Sequence, residues 1–351
     1  MTLPSRRWRL WPLVVALVAS ACAQPDPPVP PDTARIVERS RVTMGSLLTL
    51  TAWTADEREA TAAFETVFDE FDRLDALMSV WKDQSDVVRL NQAAGQQPVP
   101  VDEDVRSVLQ TAIQVGDWTG GKFDVTFAAL ADVWKFDHDQ DNRVPAADEI
   151  AARLPLIDYT QIVIDHAAGT AFLRRPGMRV HLGGIGKGFA VDRGVRLLRA
   201  RGLTNFMIQS GGDMYIAGRH GDRPWRVGIR DPRGPEGSTF ATLEVTDVAI
   251  GTSGDYERFF IKDGRRYHHL LDPDTGQPAR SIRSVTVIAP RAVMADALDT
   301  GVFVAGPQAG MTLVERMEGV QAVIVTAAND VLVTPGLRGS LVLRAQPTDA
   351  P

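Results

Sequence analysis

Between residues 56 and 79, Phe64, Val67, Phe68, Phe71, Leu74 and Met78 recur at spacings of three and four. That repeat gathers apolar side chains on one face of a helix, so a long amphipathic helix is predicted here. A second helix is expected from Asp102, which suits an N-cap, to about Trp118, with Gly120 and Gly121 ending it. Before the first helix, residues 41 to 53 are rich in Val, Leu and Thr and read as a strand pair or one long strand. Further along, "FMIQS", "MYIAG", "WRVGIR", "ATLEV", "SVTVIAP", "QAVIVTA" and "SLVLR" read as strands. "RFFIKDGRRYHHLL" places Asp263-Gly264 between two strand-like arms, a strong hairpin signal. A helix is expected over about 292–304, with "MTLVERM" continuing helical. Strand runs and hairpins mixed with helices predict an α+β domain with mixed or antiparallel sheets and packed helices, in preference to a doubly wound parallel sheet.

The folded part is expected to be one large domain over residues 34–344, since no internal repeat and no second proline-rich break divide it. Residues 345–351, "AQPTDAP", read as a frayed tail. At the other end, Arg6, Arg7 and Arg9 precede an apolar run, 10–18, that is too short for a bilayer span but suits an export signal. The small residues Ala19, Ser20 and Ala21 stand directly before Cys22 and resemble a lipoprotein processing site, although Leu is usual where Ala19 stands. Cys22 is the one cysteine of 351 residues, so it has no disulfide partner within the chain, and a lipid anchor gives its sulfur a role. The expectation is a signal peptide over 1–21, then the lipidated cysteine and a stiff linker over 22–33 with five prolines in "AQPDPPVPPDT". Lys and Arg number 38 against 44 Asp and Glu, a net charge of -6, which argues against nucleic acid as a partner.

The candidate chemistry begins with "HLGGIGKGFAVD", residues 181–192. The P-loop pattern fails, because Gly188 follows Lys187 and His181 stands where its first glycine belongs. The dinucleotide fingerprint fails too, with Phe189 in the place of its last glycine. A glycine-lined turn opening a helix still lets an anion approach closely, but equally it serves a tight strand-to-helix crossing without a ligand. In "RAVMADALDT", Asp296 and Thr300 are four apart on one helix face and offer hard oxygen ligands suited to Mg²⁺; Asp299 is assigned a different azimuth. A solvated helix face is the alternative for that pair. "DHDQDNRVPAAD", residues 137–148, matches a calcium loop in part but lacks its glycine and final Glu, and reads as an acidic surface loop leading into a helix. His268 and His269 point to opposite faces of a strand, so only one can readily enter a pocket. A zinc cluster and a G-x-S-x-G serine elbow are both lacking.

Taken in order, "MGS" at 44, "LMSVWKDQSDVVRLN" at 77, "GGKFDVTFAALADVW" at 120, "HLGGIGKGFAVD" at 181, "QSGGDMYIAG" at 209, "GTSGDYERFF" at 251, "HHLLDPDTGQP" at 268 and "ADALDTGVFVAG" at 295 resemble the ApbE family of flavin transferases. Eight such stretches in one order make coincidence a poor explanation. The resemblance implies an ApbE-like, T-fold-related architecture and Mg²⁺-dependent transfer of FMN from FAD onto a Thr or Ser hydroxyl of an exported acceptor protein, such as a membrane redox-complex subunit, with release of AMP. It also implies that Met44, Trp81, Lys122, Phe123, Asp124, Gly183, Phe189, His269 and Leu270 contact FAD. The Gly186 carbonyl, Asp296 and Thr300 would hold Mg²⁺, and His269 is the histidine expected beside the chemistry. The implied location is the periplasmic side of the inner membrane, held by the lipid on Cys22. The sequence departs from the family pattern at Ser46, Ala128, Ala129, His181 and Asp299. Hydrolysis of FAD at the same metal site, and a flavin-binding lipoprotein without catalysis, are the two rival readings.

Overall fold

The computed structural model describes residues 33–350, so the expected signal peptide and Cys22 lie outside the described residues. Eight strands form the main sheet. In spatial order they are Arg35–Thr43, Ser46–Thr54, Phe206–Ser210, Asp213–Ala217, Val248–Gly254, Ile282–Ala289, Gln321–Thr326 and Val331–Val333, which is also their order in the chain. Every ladder in this sheet is antiparallel. The helices are insertions into a meander: α1 (Glu57–Met78), α2 (Asp86–Gln92), α3 (Glu103–Thr119), α4 (Ala147–Ala151), α5 (Gly186–Ala200), α6 (Ala292–Ala305) and α7 (Pro307–Glu315). None of the described helices is long and apolar enough to cross a membrane.

Alternation along the strands sorts side chains between two cores. Leu48, Leu50, Val285 and Val287 meet the apolar faces of α1, α3, α5 and α6 on one side of the sheet. On the other, Ile216, Ile250, Ile288 and Val323 meet Trp225, Phe240 and Leu243 from a three-stranded sheet, Trp225–Arg230, Thr239–Val245 and Leu341–Leu343. The strand Ile282–Ala289 lies between these layers and is buried at every position. A third cluster joins Leu130, Trp134 and Phe136 to Phe260 and Leu271, next to the hairpin Phe259–Lys262 and Arg265–His268.

The helix expected over 56–79 is α1, with Phe64, Val67, Phe68, Phe71, Leu74 and Met78 all buried and Asp56 capping the Glu59 amide at 2.9 Å. Asp102 caps α3 at the Asp104 amide, 2.8 Å away. Residues 41–53 resolve as a pair of strands because Met44 and Gly45 both take positive φ, 48° and 70°, and reverse the chain. The tail expected to fray is instead part of the fold. The Thr348 amide and hydroxyl donate to the Asp231 carboxylate (3.0 and 2.7 Å), and Arg283 reaches Asp349 at 3.0 Å. Those partners lie far away in sequence, so composition at the terminus gave no sign of them.

Candidate active site

α5 and α6 cross at glycine. A Cβ on Gly188 would stand 2.3 Å from the Ala292 carbonyl oxygen and 2.7 Å from Asp296 Cβ, and one on Gly251 would stand 2.7 Å from the Ala295 carbonyl. Only hydrogen fits at either point, and α6 therefore sits directly on both α5 and the strand Val248–Gly254. Asp192 secures the crossing by accepting the Ala292 and Val293 amides (2.8 and 3.3 Å), which caps α6 from its neighbour. α6's own N-cap residue, Arg291, supplies no side-chain hydrogen bond.

This close approach puts acidic groups at the floor of a cavity of about 750 Å³. Asp296 Oδ2 accepts the Gly188 amide at 2.8 Å, so the helix N-terminus holds a carboxylate of the protein itself. Lys187 forms an ion pair with Asp213 and stands 3.9 Å from Asp296 Oδ1. The Ser253 hydroxyl donates to Asp299 Oδ1 at 2.8 Å and lies 3.1 Å from Thr300 Oγ1, which is itself 3.2 Å from the same carboxylate oxygen. Asp213, Asp296 and Asp299 are all buried, and Lys187 is the one ammonium among them. Burial first, and then the Asp213 charge, raise the Asp296 carboxyl to about 7 despite the opposing pull of Lys187 and the Gly188 amide. Asp299 is driven well above the usual carboxylate range by burial, Asp213 and Asp296.

Asp299 requires a correction. Residues three apart on a helix are neighbours, and its carboxylate lines the same cavity as Asp296 and Thr300. The sequence reading also missed Asp213, Lys187 and Ser253 as members of the floor. "GGD" and "TSG" carried a signal only through their place beside the sheet, which one sequence does not display.

The walls contain most of the expected contacts. Trp81, Lys122, Phe123, Asp124, Gly183, His269 and Leu270 all line the cavity. Trp81 is 53% exposed at the mouth and meets His138 edge to face, with ring centroids 4.3 Å apart. Lys122 donates to Asp272 and Asp274, both at 2.8 Å, and ties the two flanking segments together. The Asp124 carboxylate turns inward and accepts the Thr126 and Tyr159 amides at 2.7 and 3.0 Å. Its carboxyl group is raised to about 6 by burial, with those hydrogen bonds opposing. Lys122 and Asp124 thus shape the wall through bonds within the protein.

Three expected contacts are placed elsewhere. Phe189 is buried on the far side of α5, at a surface cleft with Arg193 and Arg291, because two helical residues rotate it by about 200° from Lys187. Met44 and Gly186 lie beneath the wall, with Met44 Cε 3.8 Å from where a Gly186 Cβ would be, while Gly45, Ser46, Gly184 and Lys187 form the surface. Much of the glycine turn's donor capacity is used internally. The Gly183 amide donates to His181 Nδ1 at 3.0 Å and the Gly186 amide to the Leu182 carbonyl at 2.7 Å. Burial lowers the His181 imidazole to about 4, so it accepts as a neutral ring.

The histidine pair divides as the alternation requires. His268 is buried, with Nε2 2.7 Å from the Ala279 carbonyl and its ring edge-on to Phe303. His269 faces the cavity, with Nδ1 3.3 Å from the Arg258 carbonyl. Desolvation, followed by the nearby Arg258 charge, pushes its imidazole down to about 3, so it is neutral throughout the physiological range.

A cavity of about 750 Å³ floored by buried carboxyl groups and hydroxyls, on an antiparallel meander sheet covered by helices, defines an α+β enzyme class with one broad cleft. The chain belongs to the ApbE family, whose model matches residues 44–324. It is 34% identical over 322 residues to the FAD:protein FMN transferase of Treponema pallidum, covering 87% of this chain and 89% of the relative. The Klebsiella pneumoniae protein of the same name is 33% identical over 310 residues, with 87% and 88% covered. Among solved structures, the ApbE protein of Thermotoga maritima superposes with a TM-score of 0.81 at 30% identity, over 87% of this chain and 99% of that one. The flavin transferase ApbE from Vibrio cholerae gives a TM-score of 0.77 at 28% identity, with 87% and 99% covered.

Proposed function

We infer that the protein transfers FMN from FAD to a Thr or Ser hydroxyl of an exported acceptor protein, forming a phosphodiester and releasing AMP, with Mg²⁺ as cofactor. The observation that carries this reading is the crowding of acid groups on the floor: three buried carboxyl groups share one ammonium, and burial with mutual repulsion raises Asp296 and Asp299. A divalent cation would relieve it, and Asp296, Asp299, Thr300 and Ser253 supply the oxygen donors that Mg²⁺ favours. Asp296 and Thr300 are the residues assigned to hold it. Bound there, it would stabilise negative charge developing on the phosphoryl oxygens.

The residues of the chain account for the rest. The walls near Trp81 and Phe123 are apolar enough to receive a flavin ring, and the floor orients the diphosphate toward α6. The acceptor hydroxyl attacks the phosphorus on the riboflavin side, the anhydride bond to the adenylate breaks, and AMP leaves with that bond's electrons. His269 takes the hydroxyl proton. With Nδ1 donating to the Arg258 carbonyl, Nε2 keeps its lone pair, and a bound diphosphate would raise the ring's low basicity. His269→Asn should slow transfer about 10²-fold with FAD affinity within about twofold, measured by single-turnover transfer and equilibrium titration. Unchanged turnover would remove His269 from the chemistry.

The raised Asp296 carboxyl gives a pH-dependent prediction. Its folded value, about 7, exceeds the ordinary 3.8, so the folded state holds this proton more tightly than the unfolded chain does. Without cation, that group's contribution to stability falls as pH rises from about 4 to about 7. Mg²⁺ binds the deprotonated form, so its stabilising effect on Tm should be several-fold larger at pH 8 than at pH 5. Equal shifts in thermal melts at the two pH values would contradict the site.

The reading as a whole is tested with the full chain in nonionic detergent, FAD, Mg²⁺ and a threonine-bearing acceptor domain. An acceptor mass increased by one FMN, with AMP released, is the expected result. FMN and AMP without modified acceptor would instead establish hydrolysis. The N-terminal arginines, apolar run and Cys22 support a lipid anchor on the periplasmic side of the inner membrane.

A further inference from the structure

The wall of the cavity continues into a cluster of four rings, in which Trp134 on the wall also lies 5.8 Å from Tyr267. Trp134 and Phe136, both on the wall, stack 5.5 Å apart; Phe136 meets Phe260 at 5.7 Å, and Phe260 meets Tyr267 at 5.3 Å. Phe260 and Tyr267 are cross-strand partners on the hairpin that leads directly into His269 and Leu270. Over Tyr267 lie two guanidinium groups, Arg265 at 5.4 Å and Arg280 at 5.7 Å from the ring centroid. Lys262 pairs with Arg265 across the strands. Lys262, Arg265 and Arg280 are exposed, and none forms an ion pair among the described residues. By contrast, Arg258 at the base of the same hairpin is paired with Asp137 at 2.8 Å.

Three unpaired cations crowd together on a chain whose net charge is -6. Desolvation first, and then repulsion from Arg265, lower the Arg280 guanidinium from its ordinary value. Such a cluster lowers its energy by meeting an anionic surface, and exposed like charges also accelerate encounter with a partner of opposite sign. The transfer reaction requires an acceptor polypeptide at the mouth of the cavity, and this patch is joined to the wall through Tyr267, which meets Trp134.

Resting on the transfer reading above, we propose that Lys262, Arg265 and Arg280 form the docking site for an acidic segment of the acceptor protein, which delivers its hydroxyl to the cavity beside His269. The contact is electrostatic and positions the acceptor without touching the reacting atoms. It lowers the KM for acceptor and leaves FAD binding alone.

The test uses the full chain in nonionic detergent and two labelled peptides, one with four Glu before a Thr and one with four Gln there. At low salt the Glu peptide should bind about tenfold more tightly, and high salt should remove the difference. In the triple variant Lys262→Gln, Arg265→Gln, Arg280→Gln the preference should shrink to within about twofold, with FAD affinity and Tm retained. A preference that survives in the triple variant, or that is lacking in the native chain, overturns the proposal. So does loss of peptide binding on doping the micelles with phosphatidylglycerol at constant salt, which would give the patch to lipid headgroups. Charge-dependent binding with no flavin passed to Thr would uphold the docking site and reject transfer. Equal flavin transfer to both peptides would uphold transfer and reject the docking site.

Discussion

Asp296→Ala is expected to reduce FAD-dependent transfer by at least about 10³-fold while leaving Tm at pH 8 unchanged or slightly raised. The two parts of this expectation have different causes. The carboxylate is fixed by the Gly188 amide at 2.8 Å and faces the cavity beside Thr300, so its removal takes away a charged oxygen ligand that no neighbour can replace in position. Asp299 lies next to it, but its Oδ1 already accepts from Ser253 at 2.8 Å and Thr300 at 3.2 Å. Stability responds in the opposite direction, because Asp296 is a buried carboxylate whose ionisation is disfavoured by burial and by Asp213. Losing it relieves that repulsion and leaves Lys187 paired with Asp213. The unsatisfied Gly188 amide costs about 1 kcal/mol in return, which keeps the net change small. Single-turnover transfer with added Mg²⁺, beside thermal melts of the same preparations, checks both halves. Activity within tenfold of the native chain would show that Asp296 does not hold the cation.

Gly188→Ala is expected to damage both folding and activity. Its Cβ would meet the Ala292 carbonyl oxygen at 2.3 Å and Asp296 Cβ at 2.7 Å, and neither contact is with the end of a flexible side chain. α5 and α6 must separate to admit the methyl group. Overpacking of this kind costs about 1–3 kcal/mol or more. Separation also breaks the 2.8 Å bond from the Gly188 amide to Asp296 and strains the Asp192 cap on α6. Transfer should therefore fall by about 10²-fold or more in the protein that still folds, since a displacement of about 1 Å at a catalytic group has that effect. Gly202→Ala is the control: it is in a turn with nothing within 4 Å of its Cβ, although its positive φ of 79° brings modest strain. Melting temperatures and transfer rates that are the same for Gly188→Ala and the native chain would show that the helix crossing is looser than described.

The local periodicities of the chain were sufficient to place its long elements. A six-residue apolar stripe makes α1, Asp102 caps α3, and Asp263-Gly264 turns the hairpin, all through interactions among residues near one another in sequence. The short strands Ile162–Asp165 and Thr170–Leu173 and the seven-residue α2 escaped because a few residues carry too little periodicity to register.

For the site, sequence alone supplied the types of chemistry: Asp296 and Thr300 as oxygen ligands one turn apart, a glycine turn that suits close approach, and one histidine of two facing inward. Tertiary structure decided which groups share the floor. Asp213 and Ser253 come from separate strands, and Lys187 and Asp296 from crossing helices, so their meeting depends on the sheet order and on two glycines with no room for a methyl group. It also decided that the Gly188 amide holds Asp296, that Phe189 is buried on the far side of α5 from the cavity and that Thr348 is bound to Asp231. Periodicity reports a residue's azimuth on its own element. Which other element lies at that azimuth is fixed by packing between separate segments, from 26 residues apart for Lys187 and Asp213 to 117 for Asp231 and Thr348, and no short stretch of the chain contains that information.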